Sequence, residues 1–463
     1  MRLLHIGSGF RPMRLGGLVA YAEDLMAEQA RRGHDVAYFF SGRYYPFVGG
    51  PRLKPWTHRG VAMFEVVNSP LYDHGRQPEL ELSEPRIERL FDRLIRDSNP
   101  DVVHIHELAG LPSSIIDVAR ANDVPQVLTL QDYFPLCANF TLFDADGHVC
   151  LRKEVGEDCI RTLRADPRPP AVLFEATLRL HVSRLPGIAR LQPLRSKHAA
   201  GWLRRLASHA VRSPAPAAAA TFQRRRDVNV RRLNSVDRLI AMSNRVAEIY
   251  SHLGVEADHL TTMHLTLEHF ERIRPRVSCA GSPLTFGTLN GLASAPKGAH
   301  LLLRAVRMLR AESETRPFRL VAYGVVDPAI VDEARSLGVE LGGPYGSYAV
   351  DDILEEIDVG IIPSIWEEAY AYVGIEFLAK GIPVIANAIG GMSDYVREGE
   401  TGWLNRKMTR ASLAGLMRQA IDDREGVRVL SERIVANRAS IVKTLADHAD
   451  EMDQVYTSIG APS

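Results

Sequence analysis

The sequence predicts an α/β fold with two doubly wound halves facing across a cleft, and a basic helical insertion in the first half. Short apolar runs alternate with helix-period segments through most of the 463 residues, the rhythm of a parallel sheet covered by helices on both faces. That rhythm restarts after a junction near Glu268–Ser282. The length also suits two or three domains at about 100–200 residues each.

The first half opens with an apolar strand at Leu3–Ile6. Leu18, Tyr21, Leu25 and Met26 then recur at helical spacing, and Gly33 stands where a C-terminal cap belongs. Asp35–Phe40, Asp101–Ile105 and Pro125–Leu130 read as strands, with a helix over Pro112–Asn122. Asp237–Met242 and a helix at Asn244–Leu253 complete this half. The second series has strands at Leu284–Leu289, Arg319–Tyr323, Asp358–Ile362 and Pro383–Asn387. Its helices are expected at His300–Arg310, Ala329–Leu337 and Gly374–Lys380, the last stopped by Gly381 and Pro383. These elements divide the chain into residues 1–268 and 280–439. A helix at Ser440–Ser458, within 440–463, is expected to return to the first half.

Composition narrows the class. Apolar residues make up 46% and charged residues 24%, as in soluble globular proteins, and the formal net charge is zero. Four cysteines are too few for a secreted disulfide scaffold. The opening MRLLHIGSGF has no signal-peptide apolar run. No apolar stretch reaches the roughly 18 residues of a membrane span. A cytoplasmic location is expected, with any membrane contact peripheral, on the inner face. Charge is nevertheless uneven: residues 161–232 hold 15 Arg and 1 Lys against 2 Asp and 1 Glu. Within them, Ala171–Arg212 mixes Phe174, Trp202, Leu and Val with Arg at near-helical spacing, interrupted by Pro186 and Pro193. This pattern fits a basic amphipathic helix on an anionic membrane and equally a solvated insertion.

The chemistry concentrates in Ile357–Leu404. A buried strand ends at Pro363-Ser364, a loop carries Glu367 and Glu368, and a helix carries Glu376. Doubly wound sheets bind ligands at the carboxyl ends of their strands. Amides at a helix start, here around Ala371, Tyr372, Val373 and Gly374, hold phosphate with help from the helix dipole. Carboxylates eight residues apart, bracketing that start, suit a sugar at one end and a ribose diol at the other. Gly390-Gly391 lets backbone approach the same ligand.

These residues resemble the family-four glycosyltransferases of the GT-B fold, built from two Rossmann-like domains. The hallmark is a Glu, seven residues and a second Glu, then a small-residue-Gly-x-Pro-Val strand. Glu368, Glu376 and KGIPV match it; where many relatives have Phe-Gly, this chain has Tyr370-Ala371. The resemblance extends to SGFRPMRLGGLVAYAEDL, with Gly16 and Gly17 at the first helix's start. It also reaches the Lys-Gly pair at Lys297, which in relatives clamps the donor diphosphate. Thr288 stands where many relatives place an arginine. Ser243 matches a serine near the interdomain cleft and is also a helix N-cap residue. On the acceptor side Gln131-Asp132 replaces the relatives' His-Asp. His106 is a candidate substitute for the missing histidine, and Asp132 a candidate acceptor binder or weak base. Cys137, Cys150 and Cys159 fall where some relatives hold four cysteines resembling a zinc knot; the fourth is absent here. Asp144-Ala-Asp146 matches an acidic metal motif of another glycosyltransferase fold, in a turn-like setting.

The resemblance implies sugar transfer from a nucleoside-diphosphate sugar to a glycan, glycolipid or small molecule. The anomeric configuration is retained and no catalytic metal or other cofactor is required. Lys297, Glu368 and Asp132 are the expected catalytic groups. Glu376, Ala371–Gly374, Thr288, Gly390 and Gly391 are expected to bind the donor, and Gly16, Gly17, His106, Gln131 and Ser243 to line the acceptor side of the cleft. Two further classes stay open: a GT-B binding protein without catalysis, and a nucleic-acid binder using the Arg-rich insertion. The latter lacks a recognised motif or aromatic platform, so no nucleic-acid partner is expected. A dinucleotide fingerprint at Gly7-Ser-Gly9 fails because Pro12 stands at the third glycine.

Overall fold

A computed structural model describes the chain except residues 12–13, 46–48, 72–74, 166–176, 178–216, 279–282, 313–316 and 463. The expected basic helix at Ala171–Arg212 lies almost wholly outside the described residues. Two sheets organise the rest. The first comprises β1 (Arg2–Ser8), β2 (Asp35–Ser41), β3 (Arg52–His58), β4 (Val61–Val67), β5 (Val102–Ile105), β6 (Gln126–Leu130), β7 (Arg238–Ala241) and β8 (Leu260–Thr262). Their order is β3-β4-β2-β1-β5-β6-β7-β8. Every neighbouring pair is parallel except β3 with β4. That hairpin was not read from the sequence. Its two-residue turn puts Arg59 at φ 49 and Gly60 at φ 82, the primed-turn geometry that matches strand twist.

The second sheet comprises β9 (Leu284–Leu289), β10 (Phe318–Tyr323), β11 (Val339–Gly343), β12 (Val359–Ile362), β13 (Val384–Asn387) and β14 (Gly402–Asn405). It is parallel throughout, in the order β11-β10-β9-β12-β13-β14. Strand order reverses beside β1 in the first sheet and beside β9 in the second. The crevices outside the carboxyl ends of β1/β5 and β9/β12 are therefore the places where such sheets bind ligands. In the Ala299–Ala311 helix, Leu302, Leu303, Val306 and Leu309 are buried against the second sheet. Each such side chain contributes about 1.5–3 kcal/mol.

The C-terminal segment crosses back to the first sheet, but not as one helix. Arg438–Ile441 ends at Val442, and a new helix runs over Leu445–Ser458. Thr444 separates them because its hydroxyl accepts from Asp447 N at 3.0 Å, an N-cap. The second helix packs on Gly17–Arg31. Tyr21 Oη and His448 Nε2 lie 2.8 Å apart, and Tyr456 Oη takes Gln29 Nε2 at 3.2 Å. Arg438 stands at the crossing and donates to the carbonyls of Phe270, Ile273 and Ala379. No helix among the described residues is long and apolar enough to cross a membrane.

Candidate active site

The site starts from a loop that β12 delivers to the crevice. Val359–Ile362 is buried throughout, and Pro363 ends it. The Tyr372–Lys380 helix begins at Ala371, whose φ of 54 and ψ of 71 put an L-residue in left-handed backbone. Gly381 at φ 96 closes the helix. The first turn leaves backbone N–H groups without intrahelical partners; Ala371, Tyr372 and Val373 lie there, whereas Gly374 N already donates to Ala371 O at 2.9 Å. Gly374 has no room for a Cβ, which would stand 2.3 Å from the Tyr395 ring. The Tyr395 hydroxyl in turn donates to Ala371 O at 3.1 Å.

The loop after β9 docks on this one through backbone. Ile365 N donates to Pro296 O at 2.9 Å. Gly298, at φ 82, lies so near Pro363 that an added Cβ would stand 1.8 Å from its carbonyl oxygen. This close approach is why the Lys-Gly pair needs its glycine. It delivers Lys297, whose Nζ donates to Glu368 Oε1 at 2.6 Å, while Ser364 Oγ donates to the same oxygen at 2.8 Å. The ammonium also lies 5.4 Å from the centre of the Trp366 ring. Gly391 N donates to Glu368 O at 2.8 Å, so the second glycine loop forms the other wall. Thr288, at the end of β9, is buried with no hydrogen-bond partner for its hydroxyl.

Glu376 sits on the helix beyond this pair. Its Oε1 bonds His269 Nε2 at 2.8 Å, and its Oε2 is buried without a partner. Burial and the Glu376 charge push the Tyr345 phenol well above its usual range, and Asn290 Nδ2 donates to Tyr345 Oη at 3.4 Å. Lys297 and Glu368 are thus in direct contact, with Glu376 on the helix that follows their loop.

Gly17 and Ser243 are among the residues of the first half that meet this wall. Gly17 packs on Tyr372 so tightly that a Cβ would stand 2.4 Å from the ring, whereas Gly16, at φ 130, has open space beside it. Ser243 does two jobs: its hydroxyl caps its helix by accepting from Val246 N at 3.2 Å, and it donates to Ala369 O at 2.7 Å.

The crevice at the carboxyl ends of β1 and β5 holds charged groups that no local pattern announced. Arg14 forks onto Glu107 with two contacts of 2.6 Å. Asp132, half-buried nearby, accepts from Phe134 N at 2.9 Å. Burial and the Glu107 charge push its carboxyl up to about 7. Both amide atoms of Gln131 are buried without partners. His106 borders a small cavity with Glu107, Gln131 and Asp132. Its ring belongs to a core cluster: Nε2 lies 2.8 Å from His5 Nδ1, and the edge of Tyr21 packs on it. Burial and its histidine neighbours hold it well below the usual imidazole range, hence neutral.

His5, His104 and His106 form the one group of three metal-capable side chains among the described residues, with ligand atoms within 4.8 Å of one another. His104 is already held by Tyr456 Oη at 2.8 Å and Thr129 Oγ1 at 2.7 Å. Both ring nitrogens of His104 are thus engaged, and His5 Nδ1 faces His106 Nε2, so seating an ion here would break these contacts. Cys137, Cys150 and Cys159 share a cavity with Arg226 as unpaired thiols. Burial, followed by the Cys137 neighbour, pushes Cys159 up to about 11. These three do not form a metal-capable group among the described residues. Asp144 belongs to a turn in which its Oδ1 accepts from the amides of Asp146 and His148.

Comparison with known proteins joins this geometry to a family. Residues 283–423 match the model for glycosyl transferases group 1, and residues 15–174 match glycosyltransferase family 4. The chain belongs to the family-four glycosyltransferases. A D-inositol 3-phosphate glycosyltransferase of Streptomyces avermitilis is 28% identical over 215 residues, 41% of this chain and 45% of that protein. A lipopolysaccharide 1,2-N-acetylglucosaminetransferase of Salmonella typhimurium is 30% identical over 151 residues, 29% of this chain and 39% of that protein. The chain thus spans less than half the length of these curated relatives. Among solved structures, sucrose-phosphate synthase from Thermosynechococcus elongatus matches with TM-score 0.63 at 15% identity, covering all of both chains. Anabaena HepE in complex with UDP matches at TM-score 0.59 and 14% identity, over 99% of this chain and 100% of that one. At these identities the structures speak for the GT-B fold alone.

The family-four signature, Glu368 through Glu376, was legible in the sequence because its spacing is local. His269, Arg14 and Glu107 were missed. Arg14 and Glu107 are 93 positions apart, and His269 and Glu376 are 107 apart, so no local pattern announces either pair.

Proposed function

We propose that this family-four chain moves a sugar from a nucleoside-diphosphate sugar to a carbohydrate, lipid-linked or polyol acceptor, with retention at the anomeric carbon. The observation that carries the reading is the Lys297–Glu368 pair at the β9/β12 crevice. A diphosphate entering there takes Lys297 as its counterion and frees Glu368 to accept sugar hydroxyls. The leaving diphosphate gains negative charge as the glycosidic bond breaks, and a fixed ammonium with helix-start amides stabilises that charge. Glu376, with its unpaired Oε2, holds the ribose diol. Residues 390–391 bring backbone to the donor. Asp132 binds the acceptor hydroxyl and takes up its proton, with Gln131 beside it. Positioning and charge supply the rate in this reading, with no metal-dependent step.

The relatives' names direct the acceptor search to phosphorylated polyols and lipopolysaccharide-type glycans. Within the Arg-rich residues 161–232, Arg225 and Arg226 are buried, Arg225 on Glu81 at 2.6 Å, and Arg232 pairs with Asp117. Only the other basic residues of this segment therefore suit an anionic membrane carrying a lipid-linked acceptor, where each Lys or Arg adds about 1 kcal/mol. Co-sedimentation with anionic vesicles at low and high salt tests that part, and lack of binding at low salt ends it. The donor reading is tested by thermal unfolding against a panel of nucleoside diphosphates and nucleotide sugars. A ligand at 100 times its Kd adds about 2.7 kcal/mol. A panel in which no nucleotide raises Tm overturns the reading.

A further inference from the structure

Three consecutive residues of the first half grip three separate points on the donor-side loops. Ser243 Oγ donates to Ala369 O at 2.7 Å. Asn244 N donates to Asp394 Oδ2 at 2.8 Å. Arg245 forks onto Glu367, with Nη2 to Oε1 at 2.5 Å and Nε to both oxygens at 3.1 and 3.2 Å. All three sit at the start of the Asn244–His252 helix. Asp394 is also held by His264 Nε2 at 3.0 Å, and the His264 ring stacks on Tyr370 at 5.2 Å.

The Arg245 contact reaches furthest into the site. The Glu367 side chain is only 4% exposed, and its Oε2 also accepts from Gly390 N at 3.0 Å. Glu367 therefore joins a cation of the first half to the glycine loop of the second. Its neighbour Glu368 is the residue paired with Lys297. Gly390, at φ 61, leaves no room for a Cβ, which would stand 2.4 Å from Glu368 O. The 367–369 and 390–391 segments are thus one zipped unit, pinned from across the cleft.

We infer that Ser243-Asn244-Arg245 is an interdomain clamp, and that Arg245 is a positioning residue acting through Glu367 to pre-order the donor loops. A bidentate guanidinium–carboxylate pair fixes direction as well as distance. The Gly390 amide uses the same carboxylate, so releasing Arg245 loosens both segments together. If those segments are ordered only part of the time, apparent donor affinity falls by that fraction. The affinity consequence rests on the donor reading of this crevice; the ordering consequence does not.

The test uses the full chain in four forms: wild type, Arg245→Ala, Glu367→Gln and the double variant, with Arg245→Lys as the charge-retaining control. Amide hydrogen exchange is followed in peptides covering residues 366–371 and 388–392, and over 302–309 as a folding reference. Arg245→Ala is expected to speed exchange in the two loops about tenfold with the reference unchanged, and Arg245→Lys to keep most of the protection. The dissociation constant for UDP is expected to rise about fivefold in Arg245→Ala. It should rise no further than twofold beyond the worse single variant in the double variant, because one linkage has been cut twice. Unchanged loop exchange in Arg245→Ala overturns the clamp. Faster exchange with unchanged UDP affinity, or effects that multiply in the double variant, overturns the positioning role. Should Arg245→Ala not fold, Glu367→Gln against Arg245→Lys carries the same comparison. Wild-type protein that does not bind UDP counts against a UDP-linked donor, and loop exchange then still decides the clamp.

Discussion

Removing the ammonium of Lys297 separates the fold from the chemistry. In the resting structure Nζ lies 2.6 Å from Glu368 Oε1. The Glu368 side chain is 8% exposed and that of Lys297 35%. Lys297→Ala leaves a nearly buried carboxylate with Ser364 Oγ at 2.8 Å. Breaking a fully buried pair costs about 3–5 kcal/mol, but solvent reaches Lys297 and screens this one, so about 1–2 kcal/mol is expected. For a chain of this size that lowers Tm by only a few degrees, at roughly 2–4 °C per kcal/mol. The kinetic loss is larger. A fixed donor aimed at developing negative charge contributes about 10²–10³ in kcat, or about 2.7–4 kcal/mol. Lys297→Met, which keeps the apolar stem beside Trp366, should fold better than Lys297→Ala yet lose the same rate. The assay is initial-rate release of nucleoside diphosphate, using the donor that raises Tm most. A folded Lys297→Met variant within threefold of wild type in kcat would refute the assignment of this lysine to the leaving group.

Glu376→Ala is expected to lower kcat/KM more than about tenfold, roughly 1.4 kcal/mol, chiefly through donor KM; a donor titration showing normal KM contradicts the ribose role. Ala371→Gly is expected to stabilise by about 0.5 kcal/mol. Left-handed backbone costs an L-residue roughly 1–2 kcal/mol, partly offset by the roughly 0.5–1 kcal/mol of extra entropy glycine loses on folding; a lowered urea midpoint contradicts it. Asp132 titrates at about 7 when folded, against an ordinary value of 3.8. Between those values the folded chain keeps a proton that the unfolded chain has released. Its contribution is therefore full at low pH, fades as pH rises through that window and is gone above about 7. Asp132→Asn should flatten the fall of Tm across that window, and identical slopes in the two proteins would count against it.

The sequence by itself determined the α/β class, the parallel strands with buried apolar runs, and the local signature of Lys297, Glu368 and Glu376. These are legible because burial periodicity and motif spacing act over a few residues. Short or weakly patterned elements escaped it. Strand β14 has four residues and lies at a sheet edge, and β3 exposes most of its side chains and contains Pro55. What only the tertiary structure decided is which distant groups meet. Arg245 finds Glu367 across 122 positions and Arg14 finds Glu107 across 93. His106, expected at the acceptor side from its motif, turns its ring to His5, which the β1–β5 pairing sets beside His104. A side chain's charge and size are written locally. Its partner is set by strand order and by the docking of one half on the other, which bring loop ends together that no spacing along the chain connects.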